Sequence, residues 1–540
     1  MKNILIGGAW PNTDGPLHIG RVSALLPGDV IARYHRAAGN RVFYVSGSDC
    51  HGTPVSIRAE REGKTPEEIC ERYHREFIEV FQKLGFSFDI YGMTHSNEHI
   101  SFVREFHRKM YEKELIYEKS APLAFCPECA KNLTDRMVVG RCPGCGALTR
   151  AEQCEKCDMI LEPENLLDPA CAQCGGKPVF KQTKQLFIAL SKLESRLEQY
   201  LLSHPKWRKN AKAFTRRYLD EGLRDRAITR DLSWGISVPK AGFEDKSIYV
   251  WAENVLGYLS MSALLAKRLC IPFEEVWGEN ARHYYVHGKD NIPFHTIILP
   301  GLLLAHGENL RLPDEIISSE YMTLKGRKIS ASKNWAVWCK DLLERFDPDL
   351  IRYFLLVNGP ERRDSDFSPS EFLERNNSEL LGGYGNFVNR TLSFTQKYLC
   401  GAVPDALFSP EVKTVIEESY IKVGKKIESG FIKEALQDIF ELVRYSNRYF
   451  DAKAPWKSRT TNIEDCENTI VTCIQLAANL SVLLSPFLPF SSKKLADCLN
   501  IRPDWKPQYL KYGYAIPQTG LLFKRIDSEQ LDAAFSYLSE

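Results

Sequence analysis

The first apolar run of the chain, Ile4-Leu5-Ile6, closes on Gly7-Gly8-Ala9, and from Leu17 apolar residues return at helical spacing: Val22, Leu25, Leu26, Val30 and Ile31. A short continuous run ending in glycines reads as a buried parallel strand, and the spacing that follows reads as a helix packed against it. Pro27-Gly28 falls inside this helical pattern and is expected to kink or split it. Arg41-Val42-Phe43-Tyr44-Val45 reads as a second strand, running into a loop that delivers Asp49, Cys50, His51 and Gly52. Such strand ends are where parallel α/β sheets keep their chemistry. Pro66 to Glu118 has long amphipathic helical periodicity, with Phe77, Val80, Phe81 and Leu84, then Phe102, Phe106 and Met110, on apolar faces. Phe180 to Trp234 is expected to be helical and is notably basic, with Lys206-Trp207-Arg208-Lys209 and Arg216-Arg217. Those charges suit a solvated face or RNA phosphate equally. Strand character returns at Ser247 to Trp251, His283 to His287 and Glu315 to Ile317, so the sheet resumes after a long insertion. From about Ser370 strand signals fade, and helical segments run nearly to the end as an appended bundle.

Composition adds limits to this picture. At 540 residues the chain exceeds one core, and at 44% apolar and 26% charged it is ordinary for a soluble protein. No run approaches the ~18 consecutive apolar residues of a membrane span, and no basic segment precedes an apolar leader, so a cytoplasmic protein without membrane contact is expected. A formal charge of +2 neither supports nor excludes RNA. Eight of sixteen cysteines form four CxxC pairs: Cys126 and Cys129, Cys142 and Cys145, Cys154 and Cys157, Cys171 and Cys174. Two such turns complete a tetrahedral thiolate site, so four imply two structural zinc ions with no open position for catalysis. The short step from Cys145 to Cys154 favours an inner site of Cys142, Cys145, Cys154 and Cys157, with the outer pairs closing the second.

Two segments suit phosphate. His18 and Gly20 fall in the first turn of the first helix, where backbone N–H groups favour anionic oxygens and a glycine permits close approach. Lys325-Gly326-Arg327-Lys328-Ile329-Ser330-Ala331-Ser332-Lys333, on a loop past a strand, suits a mobile phosphate clamp.

Taken in order, these segments resemble the methionyl-tRNA synthetase family of class I aminoacyl-tRNA synthetases over essentially the whole length. His18-Ile19-Gly20-Arg21 lies where the family's HIGH signature falls and Lys328-Ile329-Ser330-Ala331-Ser332 where its KMSKS loop falls. Between them stand Asp49-Cys50-His51-Gly52-Thr53-Pro54, Arg230 to Gly235, Tyr249-Val250-Trp251 and Gly288-Lys289-Asp290 with Phe294-His295. The resemblance implies a Rossmann-like parallel sheet with a zinc-binding insertion, followed by an all-α helical bundle. It divides the chain into a first catalytic half (1–118), a connective peptide with two zinc knuckles (119–180), a helical connection with the second catalytic half (181–322), a KMSKS-like loop and stem-contact region (323–372) and an anticodon-binding bundle (373–540). It implies activation of L-methionine by magnesium-bound ATP and transfer to methionine tRNA. His18, Gly20, Arg21 and Lys328 would be catalytic and would bind ATP together with Gly288, Lys289, Asp290, Ser330 and Ser332. Asp49 would hold the substrate ammonium, within a pocket of Ala9, Trp10, Asn12, Trp251, Asn254, Val255, Tyr258 and His295; Asn386, Arg390 and Trp456 would read the anticodon. The chain ends soon after the bundle, and a monomer is expected.

Four departures stand out. Arg21 replaces the last His of HIGH, Ala331 the second Lys of KMSKS, Trp10 and Asn12 the usual Leu and Tyr, and Asn254-Val255 the usual Ala-Pro. An arginine at 21 is expected still to bind phosphate but to hold ground and transition states alike. Two other readings accompany the synthetase: a paralogue with another amino acid or acceptor, and a catalytically weak tRNA-binding module.

Overall fold

The computed structural model describes residues 1–134, 137–154, 156–157, 159–330, 334–518 and 520–536. Strands β1 (Asn3–Gly8), β2 (Arg41–Ser48) and β3 (Ile90–Met93) continue, after a long insertion, with the sheet strands β6 (Ala281–Gly288) and β7 (Glu315–Ser319). They pair in parallel in the order β7-β6-β1-β2-β3. The order reverses between β1 and β6, which places a ligand crevice over the C-terminal ends of those strands.

Alternation along the strands builds two cores. Ile4, Ile6, Tyr44, Tyr284 and Val286 face one side and Leu5, Phe43, Val45 and Tyr285 the other. Helix α1 (Ile19–Ala37) covers the first side. It is not split: Pro27 sits inside one continuous helix, and a Cβ at Gly28 would lie 3.0 Å from the Tyr44 hydroxyl and 3.3 Å from Val286. The expectation of a break gives way to packing, which holds the helix closely on the sheet. Helices α2 (Asn97–Tyr111), α3 (Val250–Asn254) and α4 (Gly257–Arg268) serve the other side. Residues 247–251, expected as a strand, supply only the pair Ser247–Ile248 before turning into α3, so Trp251 is helical.

The insertion is carried on an antiparallel ribbon, β4 (Ile116–Cys126) against β5 (Val179–Ile188), in register from Ile116 with Ile188 to Phe125 with Val179. Residues 180–188 are therefore strand where helix was expected, because a ten-residue partner outweighs local propensity. In the basic stretch beyond, Trp207 and Arg208 are buried, and Arg208 donates to the Ser318 carbonyl at 2.9 Å. That charge is structural and not offered to RNA.

After α5 (Pro348–Val357) the helices that matter are α6 (Asn386–Tyr398), α7 (Pro455–Thr461) and α8 (Ile463–Leu484). The bundle is not simply appended, since its apolar residues join those of α1 and the first sheet face in one continuous core. Among the described residues α8 is the single helix long and apolar enough to cross a membrane, and 89% of that window is buried inside the protein. Among the described residues between Leu499 and Ser528 there is no regular helix; the chain returns to α1, where the Trp505 amide bonds the Ala37 carbonyl at 2.8 Å.

One buried ion pair joins the two halves. Arg352 on α5 donates to Asp29 on α1 at 2.7 Å, to the Phe487 and Pro486 carbonyls at 2.8 and 3.1 Å, and to Leu84 at 3.1 Å. Asp29 also accepts from Arg33 and Ser87. Burial alone would raise this carboxyl, but Arg33, Arg352 and Ser87 hold it down at about 2. Removing one partner of a buried pair strands the other, at a cost of about 3–5 kcal/mol. Asp29→Ala, which leaves Arg352 buried against backbone carbonyls alone, should lower the urea midpoint accordingly, and a loss below about 1 kcal/mol would show the pair to be dispensable.

Candidate active site

The crevice is walled by aromatic rings that glycines admit. A Cβ at Gly7 in β1 would stand 2.8 Å from the Tyr258 ring, so glycine there lets Tyr258 on α4 lie directly on the strand. The Trp10 ring fills a slot between Gly47 on β2 and Gly257, each of which would meet it at 2.5 Å if it carried a Cβ. Trp10 at the place of a smaller residue thus has its compensation in two neighbouring glycines. Its indole nitrogen is buried and finds no protein partner.

Two loops are laced together at the mouth. The Asp49 amide donates to the Pro11 carbonyl, and the Thr13 amide returns to the Asp49 carbonyl, both at 2.9 Å. Asn12 and Asp49 bridge as parallel partners, which brings the loop after β1 against the loop after β2. Trp251, Val255, Tyr258 and His295 are all buried around this region, while Ala9, Asn12 and Asn254 remain partly exposed.

The Tyr258 hydroxyl lies 2.8 Å from His295 Nε2, and His295 Nδ1 lies 2.8 Å from the Asn291 carbonyl. A carbonyl only accepts, so Nδ1 carries the proton and Nε2 accepts from the tyrosine. Burial holds His295 neutral, down to about 4.

His18 caps α1 in extended conformation and is tied into the structure by its neighbours: the Ile19 amide bonds Val337 and the Cys339 amide bonds Leu17. Desolvation, then the charge of Arg21, lowers His18 to about 3 against the opposing pull of Asp14. It is a neutral imidazole, and its Nδ1 is buried with no protein partner. A Cβ at Gly20 would meet the His18 ring at 3.1 Å. Arg21 donates to the Asn12 carbonyl at 2.8 Å and to Asp14 at 2.9 Å.

On the far side, Gly288-Lys289-Asp290 ends β6. Lys289 pairs with Glu320 at 2.9 Å and Asp364 at 3.2 Å, and Asp290 accepts from Tyr321. Lys328 reaches toward Asp290 at 3.8 Å and lies over the Tyr321 ring at 4.1 Å. The loop beyond it is closed by paired backbone bonds between Ser330 and Trp335. Ser332 lies outside the described residues, as do Ala331 and Lys333.

Behind the pocket lies a buried network in which His51 and Trp234 belong to segments noted in the sequence, whereas Glu253, His95 and His99 carry no signature. Glu253 bonds His51 and His99, His51 reaches His95, and Trp234 donates to the Cys50 carbonyl. The one available signal was an acid two residues after Trp251 in an otherwise apolar stretch. Cys50 is also joined to Cys70 as a disulfide, a pair not singled out from the sequence.

The cysteines of the insertion gather into two groups, Cys126, Cys129, Cys171 and Cys174, and Cys142, Cys145, Cys154 and Cys157. Sulfur separations of 3.4 and 4.0 Å in the first and 3.6 Å in the second bracket the ~3.8 Å edge of a tetrahedron built on 2.3 Å Zn–S bonds. Both groups can hold zinc, with the inner and outer pairing read from the spacing.

In the bundle, Arg390 on α6 stacks on Phe450 at 4.4 Å and approaches Trp456 at 5.8 Å while pairing with Asp451 at 2.7 Å. Trp456, at the start of α7, is 43% exposed, and Asn386 is exposed one turn before Arg390. Arg390 and Trp456 thus lie side by side at the surface.

His18, His51 and His295 are neutral in the fold, at about 3, 4 and 4, against an ordinary value of 6.5. Below about 6.5 the unfolded chain binds more protons than the fold, so stability falls as pH drops from about 6.5 to about 4. Thermal unfolding across that window should show a falling Tm; a flat one would contradict these assignments.

The family model for tRNA synthetases class I (M) matches residues 4–392, and that for the anticodon binding domain of methionyl tRNA ligase matches residues 410–537. Methionine–tRNA ligase 1 of Alkaliphilus oremlandii is 49% identical over 529 residues, covering 98% of each chain. Methionine–tRNA ligase of Bacillus mycoides is 48% identical over 534 residues, again covering 98% of each. Among solved structures, Mycobacterium tuberculosis methionyl-tRNA synthetase in complex with methionyl-adenylate superposes with a TM-score of 0.81 at 22% identity, over 97% of this chain and all of that one. With a matching family model over most of its length and relatives near half identity, the chain belongs to the methionine branch of the class I tRNA synthetases.

Proposed function

We propose that the chain is a methionine–tRNA ligase that uses this crevice to join L-methionine to AMP and then passes the methionyl group to the 3' end of methionine tRNA. The observation that carries the reading is the convergence of Trp10, Asp49, Tyr258 and His295 over the ends of β1, β2 and β6, beside the start of α1. In the first step a methionine carboxylate oxygen bonds the α-phosphorus of ATP and the bond to pyrophosphate breaks. In the second, a ribose hydroxyl takes the acyl carbon and AMP leaves. Little covalent help is needed, since positioning and charge neutralisation supply most of the acceleration.

Asp49 takes the substrate ammonium. Trp251, Tyr258 and His295 wall the side chain, and a thioether gains roughly 0.3 to 1.5 kcal/mol from each aromatic contact. Neutral His18 donates one N–H to phosphate oxygen at the positive end of α1. Lys328, on a hairpin beside Asp290, neutralises the outer phosphates as the loop closes. Arg21 acts as a positioning residue, holding Asn12 and Asp14 at the pocket mouth. Magnesium enters with ATP as a counterion of its phosphates. Zinc in the two cysteine groups supplies the cross-links of a lobe with a small apolar core. Asn386, Arg390 and Trp456 read the anticodon by stacking and edge contacts. The reading is completed by a monomer working in the cytoplasm.

Methionine-dependent exchange of pyrophosphate into ATP, followed by charging of initiator and elongator methionine tRNA, tests this. Exchange and charging are expected; no exchange with any amino acid would overturn the reading, and exchange without charging would favour another acceptor. Trp456→Ala should raise KM for tRNA about five- to 150-fold and leave exchange intact, as stacking worth about 1–3 kcal/mol implies.

A further inference from the structure

Glu253 sits on α3 between the pocket residues Trp251 and Asn254, with its side chain 0% exposed. Both carboxylate oxygens are taken. Oε1 lies 3.1 Å from His51 Nδ1 and Oε2 lies 2.8 Å from His99 Nε2. The chain of contacts continues at both ends, from His51 Nε2 to His95 Nδ1 at 3.1 Å and from His99 Nδ1 to the Ser260 hydroxyl at 2.8 Å. Glu253, His51, His99 and Ser260 are all buried, so water cannot substitute for any of these bonds.

The positions of these residues matter more than their number. His51 follows Asp49 by two residues, on the loop that offers the ammonium site, while Ser260 follows Tyr258 by two on α4. His99 lies on α2, its ring 6.0 Å from that of Trp10. Glu253 therefore joins the amino-group side of the pocket to its side-chain walls through two buried hydrogen bonds. A carboxylate buried this deeply costs several kcal/mol to desolvate, and apolar packing fills a core as well without that cost. What apolar packing does not supply is a fixed distance, which paired, directional hydrogen bonds do.

We infer that Glu253, through His51 and His99, is a positioning residue that fixes the separation of Asp49 from Trp251 and Tyr258, and with it the length of amino-acid side chain the pocket accepts. The inference rests on the assignment of this crevice as the methionine pocket. Glu253 touches no substrate in this account; it acts through the loop and the helix that do.

The test is methionine-dependent pyrophosphate exchange by the full chain, with ethionine, one methylene longer, as competitor. Glu253→Ala should raise KM for methionine about tenfold with kcat and the KM for ATP little changed, the split expected when an interaction that orders the binding site is lost. Discrimination against ethionine should fall about tenfold, within the range one methylene commands. Glu253→Gln, which can remake both hydrogen bonds by accepting from one imidazole and donating to the other in its alternative tautomer, should recover most of the loss. Should Glu253→Ala not fold, Ser260→Ala loosens the far end of the chain without emptying the core and should move KM and discrimination in the same direction by about threefold. A role confined to stability predicts a lower Tm and a smaller active fraction with KM and discrimination unchanged, and that result overturns the inference. A wild-type chain that exchanges with methionine while the variants keep its KM removes this proposal alone, whereas a wild-type chain that does not exchange removes the pocket assignment with it.

Discussion

Asp29, midway along α1, shares one carboxylate oxygen between Arg33 and Arg352 and gives the other to Ser87. The crevice and the helical bundle are both arranged about the helix this residue anchors. Its first turn holds His18 over the crevice, its middle packs on β2 and β6, and its last turns meet Glu428 through Tyr34 and Trp505 through the Ala37 carbonyl. Arg352 spends its donors on Asp29 and on three backbone carbonyls from two other elements, which leaves the pair without competing solvent. The bundle that carries Arg390 and Trp456 is thus continuous in its packing with the sheet that carries the crevice.

At the crevice the governing constraint is room. Aromatic walls reach the strand ends only because Gly7, Gly47 and Gly257 have no side chain to oppose them. Substitutions that look disruptive in the sequence then fall into place: Trp10 occupies a slot two glycines make for it, and Arg21 binds the loop that carries Asn12. The histidines nearby are neutral because burial outweighs their neighbours, so each offers one donor and one acceptor and none adds a fixed charge beside the substrate.

Much of this was legible from residue order. The first strands, the long first helix and the two cysteine groups followed from period, glycine turns and CxxC spacing, because those signals are local. What failed was set by distant partners. Residues 180–188 became a strand because Ile116–Cys126 lies beside them, and Arg208 was withdrawn from solvent by Ser318 and Glu361. Pro27 stayed within one helix because the sheet and α5 hold both sides of it. The contacts of Arg21 and the pairing of Glu253 with His51 and His99 were beyond reach for the same reason, since partners as much as 202 residues apart leave no mark on local pattern.

The proposed reaction requires one crevice to hold amino acid and nucleotide together, with α1 supplying the phosphate end. A crystal structure of the chain with methionyl-adenylate tests it most directly. The ammonium is expected on Asp49, the thioether against Trp251 and Tyr258, the phosphate within hydrogen-bond reach of His18, and Arg21 still on Asn12 and Asp14. An adenylate bound elsewhere, or Arg21 swung from Asp14 onto the phosphate, would contradict it.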